Sequence, residues 1–128
     1  MFARFRNTSP TGRRGERIAA KWLRKNRFKV IGRNVHVGIG EADIVCIAPD
    51  RRTLVIVEVK TRRLTQRVQP KAEESVGVQK QRKLRLVARA IAKKPGLTDR
   101  PVRIDVIGID LPERGKAIVR HYESAVGG

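Results

Sequence analysis

The chain has 128 residues, 40% of them hydrophobic, and its thirty Lys and Arg against twelve Asp and Glu give a formal net charge of +18. This length suits one domain with a real core. No apolar run approaches the roughly 18 residues that a membrane span requires. The single cysteine, Cys46, excludes an internal disulfide, and the N-terminal residues lack the apolar core of a signal peptide. These features indicate a protein that does not span a membrane and works in the cytoplasm.

The excess of positive charge predicts a polyanionic partner. Nucleic acid is the most common one, and twenty of the thirty basic residues are Arg, whose planar guanidinium suits phosphate. On charge alone, an anionic membrane surface and an acidic protein are the alternatives. We therefore expect DNA or RNA before either of these.

The first part of the chain predicts a helix followed by three strands. Residues 1–11 form a flexible basic arm, and residues 12–25 form a helix, because apolar residues recur there with helical spacing. This apolar stripe consists of Ile18, Ala19, Trp22 and Leu23. The strands cover residues 28–37, 41–48 and 53–61, with turn residues between them. Because the connections are short, we expect an antiparallel meander.

The second part of the chain predicts a helix and two further strands. The helix covers residues 78–94, a buried strand covers residues 102–109, and a weak final strand covers residues 117–122. The connection from the third strand to the fourth is long enough for a right-handed parallel crossover. We therefore expect an α/β fold with a mixed sheet flanked by helices, and the third strand at its centre. A single domain would span residues 12–122, with a loose tail over residues 123–128.

The third predicted strand carries charges where its other residues are apolar. Glu58 and Lys60 are two residues apart and share one face of the strand, while Val59 lies on the other face. Burying such charges is costly unless they are paired, bound to metal or open to a cleft. This end of the strand is therefore a candidate site, and a Glu–Lys ion pair on a solvated face is the alternative.

Carboxylates are sparse in the first part of the chain, which suggests that they are placed. Eleven Lys and Arg precede Asp50, but only three carboxylates do: Glu16, Glu41 and Asp43. In a hairpin of the second and third strands Asp43 lies close to Glu58, where the two repel each other unless a cation lies between them. Such oxygen ligands suit Mg²⁺ or Mn²⁺. Glu16 has dipole complementation in a first helical turn as its alternative, and Glu41 has an ion pair with a nearby Arg.

The order of these residues resembles a known nuclease pattern. Asp43, a gap of fourteen residues and Glu58-Val59-Lys60 are similar to the PD-(D/E)XK signature of restriction-endonuclease-like nucleases, with Ala42 in place of the proline. The chain as a whole resembles the YraN family of predicted endonuclease-like proteins, whose relatives include archaeal Holliday-junction resolvases. The matching pieces are residues 15–20, 33–34, 40–43, 57–62, 80–81 and 103–106. The resemblance implies a restriction-endonuclease-like fold and cleavage of DNA, with branched DNA among the candidate substrates.

The resemblance also implies a role for each site residue. Asp43 and Glu58 would bind Mg²⁺ or Mn²⁺, with the carbonyl of Val59 as a third ligand, and Glu16 would act through water or a second metal. Lys60 would orient the attacking water or stabilise the charge that develops on the phosphate. The expected catalytic residues are thus Glu16, Asp43, Glu58 and Lys60.

Basic and polar residues around this strand are candidate contacts to nucleic acid. They lie on the first helix, after the third strand and at the start of the second helix. They are Arg13, Arg14, Arg62, Arg63, Arg67, Lys71, Lys80 and Gln81. Phosphate contacts from such residues would give affinity that is largely independent of sequence. Ordinary polarity on a solvated surface is the alternative for all of them.

Four other polar residues are expected to have structural roles or none. Asp105 is expected to anchor an Arg, and Cys46 is expected to fill apolar space, because no second cysteine or histidine has the spacing of a zinc site. His36 and His121 are expected to be isolated and solvated.

Two functions are open on the sequence. A metal-dependent nuclease accounts for the charge, the carboxylates and Lys60 together, whereas a non-catalytic nucleic-acid-binding protein of the same fold accounts for the charge alone. A basic structural protein of the ribosomal type fits the placed acids poorly. For a nuclease that cuts two strands, a homodimer is the simplest arrangement.

Overall fold

The described part of the chain forms two helices and five strands. In the computed structural model, which describes residues 9–64 and 76–127, the helices are α1 (Pro10–Lys25) and α2 (Val78–Ala92). The strands are β1 (Lys29–Val37), β2 (Gly40–Ile47), β3 (Leu54–Arg63), β4 (Val102–Leu111) and β5 (Ile118–Val126). Neither helix is long and apolar enough to cross a membrane. The predicted order of elements is confirmed.

The five strands form one mixed sheet in the order β1-β2-β3-β4-β5. Neighbouring strands are antiparallel except β3 and β4, which are parallel. The connection between β3 and β4 contains α2, as parallel strands require a long crossover. The predicted mixed sheet with the third strand at its centre is therefore confirmed.

The two helices pack on opposite faces of the sheet because apolar residues alternate along the central strands. Leu54 and Ile56 of β3 pack with Leu84 and Ile91 of α2. Val55 and Val57 of the same strand belong instead to the cluster that contains Ala19, Ala20 and Leu23 of α1. We refer below to the α2 face and the α1 face of the sheet.

The beginning of α1 is fixed by its N-terminal cap and by a close contact with the sheet. The Ser9 side chain accepts a hydrogen bond of 3.2 Å from the Gly12 amide, and Pro10 lies in the first turn, where its missing N–H is harmless. These two residues explain why the helix begins before residue 12. Gly15 lies against β3 so closely that a Cβ there would come within 1.8 Å of Thr61 Oγ1. This contact brings the following residue, Glu16, to the end of β3.

The ends of two strands differ from the prediction. β3 continues to Arg63 because its parallel ladder with β4 extends to the pair Arg63–Leu111. β5 continues to Val126, which pairs with Ile104 and is buried in the core. Residues 123–126 therefore belong to the sheet, and the prediction of a loose tail from residue 123 is wrong for them. Most of the predicted basic arm, residues 1–8, lies outside the described residues.

Beyond Ile56, the α2 face of β3 changes from apolar to charged. By alternation its next residues on this face are Glu58, Lys60 and Arg62. Their partners on β4 are Val106, Gly108 and Asp110. This part of the α2 face therefore carries two of the predicted catalytic residues, Glu58 and Lys60.

Candidate active site

Asp43 and Glu58 lie side by side on β2 and β3, as predicted. The last register pair of these strands is Ile44–Val57, so that Asp43 is opposite Glu58 one step further on. Glu58 is 4% exposed, and Asp43 is half-buried. The pKa of Asp43 is raised well above its ordinary value by burial first, then by the charge of Glu58 and a side-chain hydrogen bond with it. Burial and the neighbouring carboxylate therefore disfavour a negative charge on Asp43.

The backbone of β3 holds Asp43 in position. The Val59 amide donates a hydrogen bond of 2.7 Å to Asp43 Oδ2, which opposes part of the rise in the pKa of Asp43. This bond ties the Asp43 carboxyl group to β3. The predicted use of the Val59 carbonyl as a metal ligand stays a prediction.

Glu16 adds a third carboxylate from α1. Its side chain is buried, and its negative charge contributes to the raised pKa of Asp43. Glu16 therefore lies within electrostatic reach of the pair, as its predicted role requires. Dipole complementation in the first turn does not explain a buried position.

Two lysines flank Glu58 from different elements. Lys60 Nζ lies 3.5 Å from Glu58 Oε2, and Lys80 Nζ lies 3.2 Å from the same oxygen. Lys60 follows Glu58 on the same strand face, whereas Lys80 reaches it from the first turn of α2. The Glu–Lys ion pair considered from the sequence is thus present, and Lys80 is part of the site rather than of the general helix surface.

The chemistry of these donors fits a hard divalent cation. Within residues 9–64 and 76–127, no group of three or more His, Cys, Asp and Glu side chains is arranged to hold a metal ion. Mg²⁺, however, is commonly held by one or two carboxylates together with water. The adjacent carboxyl groups of Asp43 and Glu58 meet that requirement. Asp43 and Glu58 are therefore the residues that could hold such an ion.

The predicted phosphate-binding arginines have protein partners. Arg62 Nε lies 3.4 Å from Asp110 Oδ1, and the buried Asp110 also pairs with Arg120. Arg63 Nε donates a hydrogen bond of 3.0 Å to Thr11 Oγ1 and so connects β3 to α1. Each has a structural contact of its own, and their contact with phosphate stays a prediction.

The other residues predicted to contact nucleic acid lie in different parts of the molecule. Arg13 and Arg14 are exposed on α1. The Gln81 amide donates a hydrogen bond of 3.1 Å to the Val76 carbonyl. Arg67 and Lys71 lie outside the described residues.

Asp105 anchors an Arg, as predicted, but His121 is not isolated. Asp105 accepts hydrogen bonds from Arg103 at 3.0 and 3.2 Å and from the Ser124 amide at 2.9 Å, and His121 Nε2 lies 2.8 Å from it. Burial raises the pKa of Asp105, but the bonds from His121, Arg103 and Ser124 outweigh it, so the pKa is lowered. The prediction of a solvated His121 is wrong because β5 pairs with β4 and brings it onto this carboxylate.

Three smaller predictions are resolved by position. Cys46 is buried, and burial raises the pKa of its thiol to about 12, so it fills apolar space as expected. His36 is exposed. Glu41 is exposed in a hollow that it shares with Lys80 and Lys83, rather than beside an arginine.

The sequence analysis missed Asp110, although a carboxylate within an apolar strand is itself a signal of a buried partner.

Comparisons with known proteins place the chain in a family. The model of uncharacterised protein family UPF0102 matches residues 15–109. A UPF0102 protein of Pelobacter propionicus is 38% identical over 115 residues, which cover 90% of this chain and 81% of that protein. A UPF0102 protein of Kineococcus radiotolerans is 40% identical over 111 residues, covering 86% of this chain and 88% of that protein. The matched range contains Glu16, Asp43, Glu58 and Lys60, and the chain belongs to the UPF0102 family, which the sequence motifs indicated under the name YraN.

Proposed function

We propose that this protein is a metal-dependent endonuclease that hydrolyses phosphodiester bonds of DNA. The observation that carries the proposal is the direct contact of Asp43 with Glu58 beside Lys60, in a chain of net charge +18. Two adjacent carboxylates next to a lysine form a site that suits a metal-bound phosphate. Branched and duplex DNA are the candidate substrates, and the cytoplasm, where cellular DNA lies, is the expected location.

Each site residue has a separate task in this proposal. Asp43 and Glu58 would hold Mg²⁺ or Mn²⁺, with the Val59 carbonyl as a further ligand and Glu16 acting through water. With a cation held by these residues, the site would supply a water of lowered pKa and a polarised scissile phosphate. Lys60 places a compact positive charge where negative charge develops during the reaction. Lys80 contacts the same Glu58 oxygen from α2 and balances its charge before the metal binds.

A cleavage assay tests this function directly. Single-stranded, duplex, flap and four-way-junction DNAs of matched sequence are incubated with Mg²⁺, with Mn²⁺ and with EDTA. We expect cleavage of at least one of these substrates with Mn²⁺ or Mg²⁺ and none with EDTA. Intact DNA in every arm, at enzyme concentrations that saturate binding, would contradict the proposal.

The second candidate is a non-catalytic DNA-binding protein of the same fold. It is favoured by the contacts of Lys60 and Lys80 with Glu58, because two ammonium groups already balance that carboxylate. Isothermal titration calorimetry with Mn²⁺ separates the candidates. If the protein is a nuclease, it should bind Mn²⁺, and Asp43→Asn should lose that binding. If it only binds DNA, Asp43→Asn should not change its Mn²⁺ affinity.

DNA affinity is expected to depend steeply on salt. Thirty basic residues, with one Trp and one Tyr for stacking, indicate that phosphate contacts dominate the affinity. The logarithm of the association constant should fall linearly with the logarithm of salt concentration, with a slope of about −0.9 per phosphate neutralised on duplex DNA. Fluorescence anisotropy in EDTA measures it at several salt concentrations. A slope near zero contradicts binding through phosphates.

We expect the protein to act as a homodimer on DNA substrates in which two strands are cut. One metal site addresses one strand, and a two-fold axis supplies the second site most simply. Sedimentation velocity at working concentration, with and without four-way-junction DNA, measures the mass. A monomer under both conditions excludes this arrangement.

A further inference from the structure

A second concave site lies on the sheet next to Glu58. It has a volume of about 560 Å³, and its lining includes Val76, Gln81, Val106 and Tyr122. Val106 is the β4 partner of Glu58, and Tyr122 is the β5 partner of Val106. At the usual strand spacing, Tyr122 is therefore about 10 Å from Glu58 across the sheet. This distance is roughly that of three stacked nucleotides along one strand.

The lining of this pocket combines a flat apolar surface with an oriented amide. Tyr122 is 39% exposed and supplies the apolar surface, whereas Val106 lines the pocket but is only 2% exposed. Gln81 is held by the bond from its amide to the Val76 carbonyl. That bond uses one N–H of the amide, whereas a glutamine offers two donors and an acceptor. An aromatic ring for stacking and an amide for hydrogen bonding are the groups by which proteins hold an unstacked nucleobase.

The next row of the sheet is suited to the phosphates of the same strand. Lys60 and Arg120 are both partners of Gly108 on β4. Gly108 is buried, and the two basic residues lie on either side of it in the row adjacent to the pocket. Their side chains are each 25% exposed. A nucleic-acid strand crossing this face would thus meet the partly exposed side chains of Lys60 and Arg120, which also pair with Glu58 and Asp110.

We propose that this pocket takes one unstacked base of a DNA single strand, close to the phosphate that is cut. Tyr122 stacks on the base, and Gln81 forms hydrogen bonds with its edge. The inference rests on the proposed function for the position of the phosphate, and it names the substrate class more closely. Bases inside a regular duplex are stacked and cannot enter, so the pocket favours single-stranded segments and the unpaired positions of branched DNA.

Binding to strands with and without bases tests the proposal. Fluorescence anisotropy in EDTA, where no cleavage can occur, compares a single strand, the same strand with abasic sites and a blunt duplex. We expect Tyr122→Leu to weaken binding of the base-containing strand by about tenfold. Its affinity for the abasic strand and the duplex should change by less than about twofold, because those ligands make only phosphate contacts. Tyr122→Phe keeps the ring and should bind as the parent does.

Two further variants complete the design. Ile118→Ala removes an exposed apolar side chain from the same face of β5 and should not discriminate between the three ligands. Gln81→Ala should lose affinity severalfold for the base-containing strand alone, and it serves as the test if Tyr122→Leu fails to fold.

The outcomes separate this inference from the nuclease proposal. An equal loss on all three ligands, or no loss in either Tyr122→Leu or Gln81→Ala, overturns the base pocket whatever the cleavage assay shows. A loss confined to the base-containing strand supports the pocket, even if no DNA is cut and the protein only binds.

Discussion

Asp43→Asn is expected to abolish metal-dependent cleavage while making the metal-free protein more stable. The amide is a weaker ligand than a carboxylate, so the cation should be lost. Because a metal contributes several kcal/mol of transition-state stabilisation, we expect cleavage to fall by about a thousandfold. The gain in stability has a different origin, namely removal of the cost of burying the Asp43 charge and of its repulsion from Glu58 in the folded protein. Opposite effects on activity and stability distinguish this change from simple damage to the fold.

The pH dependence of this stability follows from the direction of the pKa shift. The pKa of Asp43 is raised in the folded protein above its ordinary value of 3.8. Between the ordinary and the raised value, the folded state binds more protons than the unfolded state, so the free energy of unfolding falls as pH rises. At neutral pH the free energy of unfolding of the parent protein is therefore lowered by Asp43, and protonation in acid removes this loss. Asp43→Asn should melt about 3–5 °C above the parent at pH 7, the shift for roughly 1 kcal/mol in a domain of this size, and the difference should shrink toward pH 4.

Calorimetry with Mn²⁺ and thermal melts in EDTA check both parts. Glu41→Gln is the matched control, because Glu41 is an exposed carboxylate two residues away on the same strand. It should keep metal affinity, cleavage rate and melting temperature. Unchanged Mn²⁺ affinity in both Asp43→Asn and Glu58→Gln would show that the cation is not bound at this pair.

The arrangement of elements could be predicted because it depends on local patterns. The alternation on β3 places Leu54 and Ile56 on one face and Val55 and Val57 on the other, and both helices carry apolar stripes to cover them. The ends of elements were less predictable because they depend on distant partners. β5 extends to Val126 only because Ile104 and the core receive that residue.

The site divides in the same way. The contact of Asp43 with Glu58 follows from a short hairpin, and the pairing of Lys60 with Glu58 follows from their spacing on one strand. Lys80 is separated from Glu58 by a long connection, and nothing local shows which residue of the α2 first turn faces the sheet. The parallel register that sets Arg62 against Asp110, and the pairing that sets His121 on Asp105, are likewise determined by tertiary packing. The sequence therefore predicted that Asp43 lies close to Glu58, but not the contacts of Arg62 with Asp110 and of His121 with Asp105.

Lys60→Ala is expected to lower single-turnover cleavage by roughly two to three orders of magnitude, by analogy with the loss of one oxyanion donor. A positive charge that acts on the transition state should affect the rate more than ground-state affinity, and Lys60 is one of thirty basic residues. DNA affinity in EDTA should thus change by less than about twofold. Lys80→Ala is the matched comparison because Lys80 contacts the same Glu58 oxygen from α2.

If Lys60 serves only as a structural partner of Glu58, both variants should lose melting temperature and cleavage in similar proportion. If it serves the chemistry, Lys60→Ala should lose far more rate than Lys80→Ala at a similar melting temperature. Cleavage by Lys60→Ala at the parental rate removes Lys60 from the mechanism and leaves the ion pair as its only role.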